Sequence, residues 1–280
     1  MHYAIYVPNF GDCSHPRRLA EYALEAEEAG WDGLFIWDHL MWKPGLKVVD
    51  PWVALAAVAM NTKRIRIGIL VTPIARRRPW KLARETVTLD HLSNGRLILG
   101  VGLGNPPDLE FKQFGEEDDN RVRAAKLDEG LDVLVGLWSG KPFSYHGKHY
   151  QILNSQFLPA PLQIPRIPIW VAGKWPNRAP FRRAAKWDGV IPELARPNTE
   201  IKPKDLLEIL AYIKRYRTLS ASYEVAVEGS TPEDPAEGAE IVSPYIEAGA
   251  TWWLEDLHER RDSSKDMSAR IQHGPPIAPR

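Results

Sequence analysis

The chain has a single cysteine, Cys13, in 280 residues. No internal disulfide framework is possible, and this usage fits a reducing compartment. It also lacks a charge imbalance, since 36 Lys+Arg face 36 Asp+Glu. No global field recruits nucleic acid or an anionic membrane, so neither is an expected partner. No uninterrupted apolar stretch reaches the ~18 residues of a spanning helix. Met1-His2-Tyr3-Ala4-Ile5 enters a strand-like run at once, without the charged and apolar regions of a signal peptide. The expectation is a cytoplasmic protein. No His/Cys/Asp set shows metal-ligand spacing, so no metal centre is expected.

What is present is alternation. Short runs rich in β-branched residues, Tyr3–Val7, Gly33–Trp37, Ile65–Thr72 and Arg96–Gly102, are separated by stretches of helical period. Their starts recur about every 31 residues, the size of one βαβ unit. Ser14-His15-Pro16 reads as a helix start, with Ser14 able to cap. Asp50-Pro51 opens the next helix, and Pro79–Leu92 the third, closed by Asn94-Gly95. Leu127, Leu131, Leu134 and Trp138 mark one face of a later helix.

The stretch from about 141 to 168 breaks this rhythm with a hairpin-like Phe143–Tyr150 and five prolines. It reads as an excursion over a barrel mouth. Four more strands follow at Ile167–Ala172, Asp188–Ile191, Tyr223–Glu228 and Ala250–Leu254. The helix near Glu237–Ala248 contains Pro244, which should start or kink it. Eight strand–helix units predict an α/β fold, a single TIM (β/α)₈ barrel over residues 1–280 with an insertion after strand four and a tail from about 260 to 280. An open doubly wound sheet is the competing topology.

In such a barrel, chemistry sits in the loops after the strands. Those positions hold Asn9, Asp38-His39, Thr72-Pro73, Gly102-Leu103-Gly104-Asn105, Gly173-Lys174, Glu193, Glu228 and Glu255. His39 beside Asp38 reads as an acid–base pair, or as a capping carboxylate with a packed imidazole. The glycines from Gly100 to Gly104 either let a flat ring lie against backbone or relieve crowding between strands. A dinucleotide fingerprint does not fit, because Asn105-Pro106-Pro107 follows where a helix should begin. Gly173 to Asn177 leads into a helix carrying Arg178, Arg182 and Arg183, either an anion site or an ordinary helix start. Arg76-Arg77-Arg78 reads as a solvated turn, or as a contact for an anionic ligand tail. Trp37, Trp42, Trp52, Trp170 and Trp175 fall near mouth positions and would suit a flat aromatic ligand. No predicted strand carries an inward lysine.

Several stretches resemble the luciferase-like monooxygenase superfamily. They are Glu28-Ala29-Gly30-Trp31-Asp32-Gly33-Leu34-Phe35-Ile36-Trp37-Asp38-His39, Leu70-Val71-Thr72-Pro73 with Arg78-Pro79, and Asp90-His91-Leu92-Ser93-Asn94-Gly95-Arg96. The Gly100–Gly104 turn, Ile169-Trp170-Val171-Ala172-Gly173 and Arg183-Ala184-Ala185-Lys186-Trp187-Asp188-Gly189 continue the match. The resemblance implies an oxidoreductase using FMN or the deazaflavin coenzyme F420, for hydride transfer or monooxygenation of a small organic substrate.

Carried over by resemblance, Ile69, Leu70, Thr72, Gly102, Leu103, Gly104 and Asn105 would touch the ring. Ala172, Gly173 and Lys174 would face the phosphate. A non-proline cis peptide is implied around Ile69-Leu70. His39 would exchange a proton with Asp38 orienting it, and Trp42, Glu193, Glu228 and Glu255 would meet substrate. The Asp-His pair resembles the deazaflavin branch. Asn105 stands where sugar-phosphate-oxidising members carry an acid, which argues against a sugar-phosphate substrate. A homodimer is implied, with a flavin reductase partner if FMN is used. Two rival readings remain: a non-catalytic flavin-binding barrel, and a phosphate-sugar lyase or isomerase on the same fold.

Overall fold

Eight parallel strands close into a barrel in a computed structural model that describes residues 1–196, 199–258 and 267–277. They are β1 (His2–Val7), β2 (Gly33–Ile36), β3 (Arg66–Pro73), β4 (Leu97–Gly102), β7 (Ile169–Trp175), β8 (Gly189–Leu194), β9 (Glu224–Gly229) and β10 (Trp252–Asp256). The order around the barrel is β1-β10-β9-β8-β7-β4-β3-β2. The barrel expected from sequence is thus observed, and the open doubly wound sheet is not. Among the described residues no helix is long and apolar enough to cross a membrane.

Burial on both faces explains why the strands read as continuous apolar runs. Alternate residues separate into two cores. Ala4, Phe35, Ile98, Trp170, Ile191, Ala226 and Trp252 fill the barrel interior. Ile5, Leu34, Ile67, Ile69, Leu99 and Val171 point outward beneath the helices. Phe35, Trp170 and Trp252 meet within 5.4–5.8 Å between ring centroids and plug the lower barrel.

The helices start where capping chemistry dictates. In α2 (Pro51–Asn61), Asp50 accepts from the Val53 N–H at 2.9 Å. In α1 (Pro16–Glu28) the cap is His15 rather than Ser14, its Nδ1 accepting from the Arg17 N–H at 3.3 Å. The third helix, α3, spans the expected Pro79–Leu92. Helix α8 (Pro235–Glu247) keeps Pro244 inside its last turn rather than at its start, where Pro235 stands instead. Pro244 and Glu240 are both exposed, so the carbonyl that loses its partner can turn to water.

The excursion after α5 (Asn120–Trp138) is placed differently from the expectation. It contains a two-stranded ribbon, β5 (Phe143–His146) with β6 (Gln151–Ser155). Instead of covering the mouth, it runs down the outside of the barrel. The Glu129 carboxylate of α5 accepts from the N–H groups of Lys148, His149 and Tyr150. Asp90, at the foot of α3, accepts from the Leu162 N–H and the Gln163 side chain, which also donates to Leu97 O at the start of β4. Those contacts lie at the N-terminal end of the strands, opposite the catalytic face expected of this fold. The expected tail falls partly outside the described residues. Within them, α9 (Met267–Gln272) returns to the barrel wall, where Ile271 O accepts from Trp31 Nε1 at 2.9 Å.

Candidate functional site

A cavity of about 520 Å³ opens at the C-terminal ends of the strands. One wall is formed by Leu70 and Val71 of β3 against Gly102, Leu103, Gly104 and Asn105 after β4. The Leu70–Val71 peptide is cis, one bond beyond the expected Ile69-Leu70. A Cβ on Gly102 would stand 2.6 Å from Val71 Cγ2, so the wall is bare backbone by necessity. Gly100 serves packing, because a Cβ there would meet Leu70 Cδ2 and Ile69 O at 2.4 and 2.5 Å. The crowding reading of the glycines therefore holds at Gly100, while Gly102 and Gly104 lie in the cavity wall. Ile69 and Thr72 do not line the cavity: both are fully buried in the wall, and Ile69 belongs to the outer core.

The cavity also has polar lining. Ala172, Gly173 and Lys174 from β7 line it with Asn120, Arg123 and Asn177. Arg123 is 1% exposed and donates to Leu103 O at 2.9 Å, which fixes the glycine turn. Its Nε and Trp37 Nε1 are buried with no hydrogen-bond partner among the described residues.

The loop after β2 is held from two sides. Asn9, at the end of β1, accepts from the His39 N–H at 3.1 Å and donates to His39 O and Val49 O at 2.8 Å. Asp38 and His39 both line the cavity, but they do not pair as expected. Asp38 receives Arg76 at 2.7 Å and Arg77 at 2.6 Å. His39 Nδ1 instead lies 3.1 Å from Oε1 of Glu110, at the end of the short helix α4 (Pro107–Glu110). Arg76 bridges the two carboxylates, reaching Glu110 Oε2 at 2.5 Å. The Arg76 side chain is 3% exposed, and both carboxylates are fully buried. Arg76 and Arg77 are thus a buried ionic strut for the mouth, while Arg78 alone is exposed as a solvated turn would have it.

Glu110 was not singled out in the sequence, because it sits past the glycine turn in an unpatterned stretch. Burial pushes its carboxyl up, but His39, the Leu40 N–H and Arg76 outweigh this and hold it below its ordinary value. A lowered folded value stabilises the native state above the unfolded range near ~4.3. That share is lost as pH falls through the lower folded value. The urea midpoint of the protein should therefore drop on acidification below about pH 4.3, with a shallower drop in Glu110→Gln. Parallel curves for the two proteins would show that Glu110 carries no such share.

The remaining acids divide by strand parity. Glu193 of β8 and Glu228 of β9 line the cavity, as expected. Glu193 sits 3.7 Å from Lys174 Nζ; burial pushes its carboxyl up while Lys174 pulls it back. Tyr6, at the cavity base, donates its hydroxyl to Leu70 O at 2.6 Å. Burial, then the nearby Glu228, Glu193 and Asp256 carboxylates, raise its pKa well above the ordinary tyrosine value, so it keeps its proton.

Glu255 is not a cavity residue. It lies one position out of phase with the inward Leu254 and is 1% exposed. Its oxygens accept from the Thr231 N–H, Thr231 Oγ1 and Trp253 Nε1 at 2.8–2.9 Å, with Arg270 at 3.4 Å. Glu255 therefore ties β10 to α9.

Trp37 and Trp42 line the mouth beside His39, Trp42 edge-on at 4.8 Å between centroids. Phe10 stacks on Trp42 at 5.3 Å, and His258 on Trp37 at 5.0 Å. Trp170 belongs to the floor plug, and Trp175 packs outside against Phe181 and Tyr212. Trp52 lies 6.0 Å from the Arg77 guanidinium. Among the described residues no group of three or more His, Cys, Asp or Glu side chains is arranged to hold a metal ion.

Lys174 corrects the expectation that no strand carries an inward lysine. Its side chain is 46% exposed and beside a carboxylate, unlike the desolvated amine a Schiff-base mechanism needs. The lyase reading gains no support from it.

Comparison with known proteins gives a consistent picture. The sequence profile described as luciferase-like monooxygenase matches residues 1–271. An F420-dependent glucose-6-phosphate dehydrogenase of Amycolatopsis mediterranei is 35% identical over 63% of this chain and 53% of its own length. One from Beutenbergia cavernae is 32% identical over 79% of this chain and 65% of its own. The chain thus spans about half to two thirds of the length of these curated relatives. Among solved structures, the coenzyme F420-dependent tetrahydromethanopterin reductase of Methanopyrus kandleri superposes with a TM-score of 0.79 at 17% identity, covering 97% of this chain and 96% of that one. The oxygenating constituent of 3,6-diketocamphane monooxygenase from Pseudomonas putida, in complex with FMN, gives 0.77 at 15% identity over 98% and 96%. At these identities the two structures speak for the fold alone.

Proposed function

The chain belongs to the luciferase-like monooxygenase family, and from that premise we propose that it is an oxidoreductase holding coenzyme F420 or FMN in the barrel mouth. The observation that carries this reading is one cavity with a bare-backbone wall at Gly102–Gly104 and an imidazole, His39, at the same mouth. The residues present fit such a group. Leu70, Val71, Gly102, Leu103 and Gly104 offer a surface for a flat ring, and a cavity of this size is ordinary for a cofactor. Lys174, Asn177 and Arg123 would meet its phosphate, and Trp37 Nε1 is a buried donor in need of an acceptor. Coenzyme F420 is the first choice, in keeping with the Asp38-His39 pair and with the names of the curated relatives.

When bound, the ring supplies the redox chemistry. The protein orients it, screens it with Trp37 and Trp42, and moves a proton at His39 Nε2. The substrate is a small organic molecule. Asn105 in the cavity wall argues against a sugar phosphate. A homodimer and, with FMN, a flavin reductase partner complete the proposal. Sedimentation of the purified protein reads the first.

The test is a fluorescence and absorbance titration of purified protein with F420 and with FMN. Micromolar binding of F420 supports deazaflavin hydride chemistry, and binding of FMN alone supports oxygen-using chemistry. Binding of neither overturns the proposal. Bound cofactor without turnover across alcohols and carbonyl compounds would favour the non-catalytic reading.

Gly102→Val tests the wall. Its Cβ already conflicts with Val71, and Val71 and Ala172, the neighbours it would press on, both line the cavity. Overpacking of this kind costs about 1–3 kcal/mol. Cofactor affinity should fall about 10- to 100-fold while far-ultraviolet dichroism stays unchanged. Unchanged affinity would place the ring elsewhere.

A further inference from the structure

We propose that Glu110 is a positioning residue for His39, which fixes the imidazole as its Nδ1–H form and leaves Nε2 as the nitrogen that exchanges protons at the cavity. The inference rests on the reading of His39 as the proton-moving group. Its physical basis is the count of donors around one carboxylate.

Glu110 has no exposed side-chain surface. Oε1 accepts from the Met41 N–H at 3.2 Å and lies 3.1 Å from His39 Nδ1. Oε2 accepts from the Leu40 N–H at 3.0 Å and from Arg76 at 2.5 Å. Three consecutive residues of the loop after β2, His39, Leu40 and Met41, thus converge on one carboxylate delivered from the far side of the mouth. The guanidinium of Arg76 keeps that carboxylate ionised, and an ionised carboxylate can accept but cannot donate. At Nδ1 the imidazole must therefore be the donor.

The same holds in both charge states of the ring. In the neutral form Nδ1 carries the single proton and Nε2 keeps its lone pair. In the cation both nitrogens carry protons, and Nε2 is the one whose proton is not engaged by Glu110. The ring's Nδ1 edge faces Glu110 while His39 lines the cavity, so gain and loss of a proton are confined to the cavity side. Neighbouring aromatic rings limit the ring's rotation. Phe10 lies 5.9 Å, Trp37 5.8 Å and Trp42 4.8 Å from the His39 centroid. Asn9 fixes the backbone. A misplaced tautomer would put a proton where the lone pair is needed, and such errors cost orders of magnitude in comparable His–carboxylate pairs.

The test reads the tautomer itself, in the protein without any cofactor. Long-range ¹H–¹⁵N spectra of the histidine rings are recorded at a pH where His39 is neutral, with its signals assigned by their absence in His39→Gln. The expected result is Nδ1–H in the unmodified protein and Nε2–H in Glu110→Gln, whose amide oxygen must go on accepting from the Leu40 N–H and Arg76 and so turns its NH2, a donor, toward Nδ1. A wild-type His39 in the Nε2–H form overturns the proposal, and so does a Glu110→Gln protein that keeps Nδ1–H. The first of these needs no variant, so a Glu110→Gln protein that fails to fold does not shield the idea. Because no cofactor is present, this result is independent of the titration that decides the oxidoreductase reading.

Discussion

Replacing Arg76 by methionine should lower the thermal midpoint by on the order of 10 °C near neutral pH, following the usual size of broken buried ion pairs. Arg76 contacts Asp38 at 2.7 Å and Glu110 at 2.5 Å, and all three side chains are essentially out of water. Removing the cation leaves Glu110 ionised in a dry site with its shortest contact gone. Asp38 keeps Arg77, so the damage concentrates on Glu110. One-sided loss of this kind costs about 3–5 kcal/mol, much more than an exposed pair.

The pH dependence follows in sign. Without Arg76 the Glu110 carboxyl loses one of the groups that hold it down, so the native state is penalised where that carboxyl is charged. The deficit should shrink as pH falls into the carboxylate range. The double variant Arg76→Met/Glu110→Gln should recover part of the loss, because the two sites share one interaction. Differential scanning calorimetry at two pH values decides the matter. A single variant melting within about 2 °C of the parent would show that the strut is energetically idle.

His39→Ala should reduce turnover about 10²–10⁴-fold, the usual contribution of a positioned acid–base group, with cofactor affinity changed no more than about threefold. The imidazole comes from the loop after β2, whereas the bare wall belongs to β3 and β4 and the polar lining to β7, the turn after it and α5. On the proposed reading, deleting the imidazole would remove a proton-moving group and leave the ring's resting place intact. Steady-state decay of F420 absorbance, with the first alcohol or carbonyl compound the parent protein turns over, gives the rate. Normal turnover with bound cofactor would end the case for His39.

The barrel was legible because burial on both faces writes itself into the strands as apolar runs with a regular helical spacer. Residue parity is equally present in the sequence. Trp252 and Leu254 face inward, so Glu255 had to face out and Asp256 in. The same alternation sends Ile69 into the outer core. The rule fails after Leu70, where the register of β3 against β4 shifts between Ile69 and Thr72. Val71 then lines the cavity, and Thr72 is buried behind it.

The ionic strut was not legible for a different reason. Arg76 and Glu110 are 34 positions apart, and nothing in either local stretch distinguishes a buried charge from a solvated one. The closure of the barrel brings them together. The excursion at 141–168 was visible as a break in rhythm, yet its docking side depends on Glu129 and Asp90, which look like ordinary helix-surface acids in the sequence.

The aromatic plug of Phe35, Trp170 and Trp252 has a kinetic consequence. Among the described residues those three rings close the vessel at its base. On the proposed reading, a ring against the glycine wall and a molecule beside His39 would both come and go by the mouth, so the departure of one would be slowed while the other stays.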